Sequence, residues 1–501
     1  MNINYAQLIP IIVYLLLIAG IGIWAALDQK RSATGKKTEN YYVGGRRLGP
    51  FVLIFTILAS AASAGTFIGG PGLGYQSGLG WVLMGLFQTP TAFLTVGLLG
   101  KKYAILARKL HLYTYTDFFK ERYNSKIVVG IAAAGIIIFL TAYMVAQYAG
   151  GSHILHSVTG VPYSTLVWIF AGIVALYTAF GGFMGASIND TAQGVIMFVG
   201  SIVLWFGVFA YLGTPTPMDH KFALNFPDLV TLPGGIDATP VNFLSYSVIF
   251  GLMIVAMPHT AVRAMSYRNS QTAHRAMVWS PVVMAVFSLG FAIMGVVARL
   301  VDSHLSNPDL AIPTLIEKSL SGPIGGALFA APLAAIMSTV SSMLLIVSGA
   351  VVRDIYNNFI NKNLADSRRA GLSMVVSLVI GFVVLLIALK PPPALELIVI
   401  FAISGLGATF FVPLLGGLYW PRGNRPGAIS AMIGGLVWYI VGQQWVPALG
   451  LGFMPVVTAV VFAIILYVGV SLLTPPPPRE VLVKFWGTNR EIQKLELDRT
   501  P

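Results

Sequence analysis

The chain has no cysteine among its 501 residues, which rules out a disulfide, a thiolate metal site and a cysteine nucleophile. Charge is scarce too. Only 10% of residues are Asp, Glu, Lys or Arg, against about 25% in a soluble domain. A phosphate-cradling glycine loop, a nucleophile elbow and a paired-histidine zinc helix are all missing. The seven histidines show no metal-ligand spacing, and His153 and His156 read as solvated or packing residues. Without a nucleotide-binding module, ATP-driven work would need a separate subunit. No pairing of nucleophile and base speaks for an enzyme. The first ten residues carry neither a basic segment nor a small-residue cleavage site, so the first apolar run reads as a retained span.

What the chain has is apolar length, with 56% hydrophobic residues. A membrane span needs about 20 of them in a row. Thirteen candidates lie near 6–27, 50–70, 80–100, 127–150, 163–180, 190–212, 242–262, 280–301, 324–350, 370–389, 395–418, 427–446 and 454–474. The expected fold is therefore an all-α membrane protein of thirteen helices. Alternate connections and the tail hold 27 of the 31 Lys and Arg residues, Arg263 and Arg353 among them. Lys221, Arg299, Lys318 and Lys390 fall on the other side. Basic loops stay cytoplasmic, which places the N-terminus outside and the C-terminus in the cytoplasm. The net charge of +13 is then a topology signal, and no nucleic-acid partner is expected.

Two spans are unfit for straight helices. The second holds Gly65, Gly69, Gly70, Pro71 and Gly72; the seventh holds Gly251 and ends at Pro258. Loosened backbone is tolerable in a membrane only where protein or a cavity surrounds it. Interruptions at matching positions of two halves point to an inverted five-plus-five repeat with its site at the midplane. The expected segments are 1–49, a first helix and cytoplasmic loop; 50–212, repeat one; 213–241, an extracellular loop; and 242–418, repeat two. Two peripheral helices at 419–474 and a cytoplasmic tail at 475–501 complete the chain.

Carboxylates inside spans are nearly absent. Asp190 stands at the start of the sixth span, where it also reads as a helix N-cap, and Glu396 stands near the outer end of the eleventh. Proton coupling generally needs a titratable group in the core. Its scarcity favours a cation held by neutral oxygens, and sodium fits such ligands. The ninth span supplies them. Ala335, Ser338, Thr339 and Ser342 recur at three- and four-residue spacing and share one helix face. Small residues and hydroxyls on one stripe suit close helix packing as well as an ion. The second span offers Thr56, Ser60, Ser63 and Thr66. The amides of Gln88 and Gln147 must either bond a neighbouring helix or meet a solute.

Several runs resemble the sodium:solute symporter family. They are Tyr177-Thr178-Ala179-Phe180-Gly181-Gly182-Phe183 followed by Asn189-Asp190-Thr191-Ala192-Gln193, then Tyr42 to Arg46, Thr116 to Asn124, and Arg353-Asp354-Ile355-Tyr356. Phe67 to Gly72, Pro258 to Arg263 and Pro308 to Leu315 are most similar to its pantothenate-carrying branch. The resemblance implies thirteen spans around the inverted-repeat core of the amino-acid carriers. It implies a sodium site between spans two and nine, made by the carbonyls of Ala59, Ala62 and Ala335 and the hydroxyls of Ser338 and Thr339. Asp190 matches the acidic residue of the inner ion path. Thr66 matches a position that contacts substrate in sugar and proline carriers. The expected activity is import of pantothenate, another small carboxylate, proline or another amino acid, with sodium as co-transported ion. A solute pocket is expected near Thr66, Gln88, Gln147, Phe250 and Met253. No organic cofactor and no obligatory protein partner are expected in this multi-pass protein of the cytoplasmic membrane. A passive channel and a membrane sensor are the readings from other classes.

Overall fold

A computed structural model describes residues 5–31, 37–213, 226–230, 239–320, 322–361, 365–390, 395–487 and 491. Most of the loop at 213–241, and the tail beyond 487 apart from residue 491, lie outside the described residues. Among those described, all regular elements are helices, and Leu48 and Tyr267 form an isolated bridge. Among the described residues, nine helices are long and apolar enough to cross a membrane, or eleven when two bent pairs each count as one span.

Burial runs opposite to that of a soluble bundle. On the helix Asp366–Ala388, Val375, Val379, Phe382 and Leu386 are exposed at three- and four-residue steps, while Ser373 and Ser377 are buried. An apolar stripe turned outward is what lipid contact requires, because lipid leaves polar groups only the interior. The helix Ala330–Gly349 sits at the centre, buried at every residue from Ala330 to Leu345. It packs against Pro50–Ala61, Lys126–Thr159 and Tyr163–Leu212.

Three breaks shape the interior. Pro50–Ala61 and Gly65–Ser77 meet at 69°, and Pro240–Ala256 and Pro258–Met265 meet at 52°. The second break follows from Pro258, which pushes Met257 out of the helical region to φ −65° and ψ 127°. The third lies within Tyr163–Leu212, where Gly182 adopts φ 54° and ψ −160°, a region open to glycine alone. The first bend also needs close company. A Cβ on Gly295 would stand 2.1 Å from the Pro71 carbonyl oxygen, so only glycine lets Ser270–Val301 approach there.

At the end of the bundle rich in basic residues, the short helix Tyr115–Tyr123 is closed by a reciprocal cap between Thr114 and Asp117. The helix Arg479–Trp486 folds back onto it. Lys484 pairs with Glu121 at 2.7 Å, and the Trp486 ring lies 4.7 Å from the Lys102 ammonium and 5.0 Å from the Arg122 guanidinium.

Candidate functional site

The break in the second span frees backbone groups that a continuous helix would pair. Ala62 is extended, at φ −83° and ψ 138°. The carbonyls of residues 59 to 62 therefore lose their donors four residues on. Three of the four are met by side chains from other helices. Ser338 Oγ lies 2.9 Å from the Ala59 oxygen, and Thr339 Oγ1 lies 2.7 Å from the Ala62 oxygen. Gln88 donates to Ala61 at 3.0 Å. The freed N–H groups are met as well. Ala64 donates to the Gln147 side-chain oxygen at 2.9 Å, Ser63 to Thr66 at 3.3 Å and Gly65 to the Ser63 hydroxyl at 3.1 Å.

Ala59, Ala62, Ala335, Ser338 and Thr339 thus lie together. Both hydroxyls also approach the Ala335 carbonyl, at 2.9 and 2.8 Å, and all five residues are fully buried. Each hydroxyl has one proton to share between two carbonyls and lone pairs left over. Three carbonyls and two hydroxyls gathered without a charge can hold a small hard cation once those protons turn aside.

Asp190 is not an N-cap. It lies eight residues beyond the Gly182 break, inside helical backbone, and is fully buried. Its carboxylate receives Arg263 Nη2 at 2.6 Å, and the Ser341 hydroxyl lies 3.3 Å away. Arg263, counted above among the basic connections, is only 2% exposed. The same Nη2 reaches the Ser342 hydroxyl at 2.6 Å, and Nη1 donates to the His259 carbonyl at 2.5 Å. The 52° bend explains the difference, because it returns the chain after Pro258 to the interior. A signal was present: Ala261, Val262, Ala264 and Met265 around the arginine are apolar, unlike a solvated loop.

A cavity adjoins the break, lined by Ser60, Thr66, Trp81, Gln88, Phe250 and His259, among others. Its volume is about 50 Å³, where one water needs about 10–15 Å³. A few waters fit, and an organic solute requires the walls to part. The Trp81 ring stands edge-on to Tyr246 and Phe250. Thr66, Gln88 and Phe250 line this space; Gln147 and Met253 do not. Gln147 is held at the Ala64 N–H. Met253 lies against Gly407, where a Cβ would stand 2.7 Å from its sulfur. A second cavity toward the basic end is lined by Tyr42, Thr114, Phe183, Arg263, Ser342 and Asp354, among others. His259 borders both.

The sodium:solute symporter family model matches residues 41–435. The chain belongs to that family. The sodium/pantothenate symporter of Escherichia coli K12 is 38% identical over 479 residues, which is 95% of this chain and 98% of that protein. The sodium/pantothenate symporter of Haemophilus influenzae is 35% identical, over 93% and 96%. Among solved structures, a sodium-coupled sialic acid symporter in a substrate-bound outward-open state superimposes with a TM-score of 0.79. It has 17% identity and covers 95% of this chain and 99% of that one.

In this family member the hydroxyl cluster and the ion pair are joined. Ser341 and Ser342 lie 2.9 and 2.8 Å from the Ser338 carbonyl, and both approach Asp190.

Proposed function

We propose that the chain imports pantothenate, or a small carboxylate very like it, together with sodium, by alternating access. The observation that carries this reading is the meeting of the Ala59 and Ala62 carbonyls with the Ser338 and Thr339 hydroxyls across two helices. Sodium replaces the hydroxyl protons as the bridge, draws the broken second span against the ninth and stabilises the closed form of the adjacent cavity. The two sodium/pantothenate symporters support the choice of solute. The membrane potential contributes about 2.3 kcal/mol per charge at 100 mV. The solute carboxylate meets hydroxyls and helix starts, because Arg263 is already engaged by Asp190.

The same proposal includes the topology. The helix Tyr163–Leu212 has 50 residues, or about 75 Å at 1.5 Å each, far beyond a bilayer of about 30 Å. Counted as two spans at Gly182, and with Arg425–Gln444 as a further one, the bundle has thirteen. The bends in the second and seventh spans fall at equivalent places of the inverted repeats 50–212 and 242–418. The N-terminus is outside, and the basic end is cytoplasmic.

Uptake of radiolabelled pantothenate into proteoliposomes tests the proposal. Accumulation is expected with an inward sodium gradient. Equal accumulation with potassium and a proton gradient instead would overturn the sodium coupling.

A further inference from the structure

At the basic end of the bundle one apolar stretch stops where another starts. Gly322–Ile360 runs out at Ile360, and Lys126–Thr159 opens at Lys126. Between them lies a cavity of about 340 Å³, several times the volume of the central one. Lys120, Asn124, Ser125, Lys126, Asn357 and Asn358 line it together with Val129. Among the described residues, no carboxylate does.

The polar lining is held in place. Lys120 Nζ donates to Asn358 Oδ1 at 2.8 Å and has two further protons to give. Asn358 is fixed in turn, since its Nδ2 donates to the Arg353 and Asp354 carbonyls at 3.2 and 3.1 Å. Asn357 Oδ1 accepts from Arg369 at 3.2 Å, which adds a third cation beside the two lysines. Ser125 caps the 34-residue helix Lys126–Thr159 by accepting the Val128 N–H at 3.3 Å. The N–H groups of Lys126 and Ile127 have no intrahelical partner, and the positive end of the helix dipole lies here. Two ammonium groups, a helix start and three amides, with no carboxylate, suit an anion.

The surroundings decide which kind of anion. Ile127, Phe359 and Ile360 adjoin the lining residues in the chain and are 52%, 48% and 70% exposed. Phe359 lies against Gly130, where a Cβ would stand 3.8 Å from its ring. Bare apolar side chains therefore meet a cationic cavity at the level where spans end, which is where lipid headgroups stand. A free anion has no use for the apolar flank, and an amphipathic one covers it. The cytoplasmic leaflet is also the one rich in anionic lipid.

We propose that this cavity binds the headgroup of an anionic phospholipid. Lys120, Lys126 and the start of the helix Lys126–Thr159 hold its phosphate, and its acyl chains lie over Ile127, Phe359 and Ile360. Through Lys120 and Asn358 the lipid ties the helix Tyr115–Tyr123 to the end of the span that carries Ser338 and Thr339. The proposal does not depend on which solute is carried.

Thermal unfolding of the full chain in a neutral detergent tests it, with phosphatidylglycerol, phosphatidylcholine or glycerol 3-phosphate added in series. Phosphatidylglycerol is expected to raise Tm to a plateau, and the other two to leave it where it was. Lys120→Gln and Lys126→Gln should each raise the phosphatidylglycerol concentration for half the shift about fivefold. Lys126→Arg should restore it. Lys101→Gln removes the same charge outside the cavity and should change nothing. Equal stabilisation by phosphatidylcholine overturns the proposal, because the charge is then not read. Equal stabilisation by glycerol 3-phosphate overturns the lipid as ligand and leaves a plain phosphate site. An unchanged half-point in Lys126→Gln, or an equal loss in Lys101→Gln, overturns the assignment to this cavity. The comparison of the three additives on the unaltered protein decides the first two outcomes without any variant having to fold.

Discussion

The buried pair of Asp190 and Arg263 can be taken apart one charge at a time. The two side chains are 0% and 3% exposed and 2.6 Å apart. Asp190→Asn keeps the shape and leaves the guanidinium charged among neutral acceptors, the Ser342 hydroxyl and the His259 carbonyl. Arg263→Gln leaves the carboxylate with Ser341 and Ser342 alone. Removing one partner of a buried pair costs about 3–5 kcal/mol, mostly through the charge left uncompensated. The double variant Asp190→Asn with Arg263→Gln leaves no charge behind. It should be more stable than either single variant, with a coupling energy of about 2 kcal/mol or more. Denaturant unfolding in detergent micelles, followed by tryptophan fluorescence, measures all four proteins. If the double variant loses the sum of the two single losses, the residues act independently and the ion pair is no unit.

Ser338→Ala and Thr339→Val each remove one hydroxyl from the carbonyl cluster. Each should raise the sodium concentration for half-maximal uptake about tenfold, read from a sodium titration at fixed solute. Gln147→Leu leaves the Ala64 N–H unpaired beside the break. It should cost about 1–3 kcal/mol of stability in the same unfolding assay. Asp117 offers a pH test outside the spans. Burial opposes its ionisation, but Arg353 at 3.0 Å and the N–H groups of Tyr113 and Thr114 outweigh burial and hold its carboxyl below the ordinary carboxylate range. A lowered pKa in the folded protein adds stability above the unfolded value, about 3.9, that is lost as pH falls through the folded value. Asp117→Asn should therefore be less stable at pH 7, with the gap closing below about pH 4.

The parts of this protein that sequence discloses are those governed by local spacing. Glycines 65, 69, 70 and 72 announce a bend because so many in one span loosen its backbone. Ser338 and Thr339 point one way because helical periodicity puts them there. Which carbonyls they meet is not local, since Ala59 and Ala62 lie nearly three hundred residues earlier. Arg263 was hidden for a different reason. Charge counting treats an arginine after a proline as loop, whereas the bend keeps it inside, and its partner lies on another helix. Gln147 and Gln88 were visible as amides in need of partners. Their service to the broken backbone emerges only from the packing of three helices.

The carbonyls that face Ser338 and Thr339 are neutral, and so are the hydroxyls that can satisfy them with their own protons. A cycle of import also has an unladen half, in which the binding elements must travel back. A site built from carboxylates would carry bare negative charge on that stroke and work against or with the voltage. Here the oxygens return electrically silent, and the buried charges of Asp190 and Arg263 cancel one another. Voltage should then act only through the net charge of the sodium and solute that are bound and leave the reset almost untouched, an asymmetry visible as transient currents confined to conditions in which sodium is present.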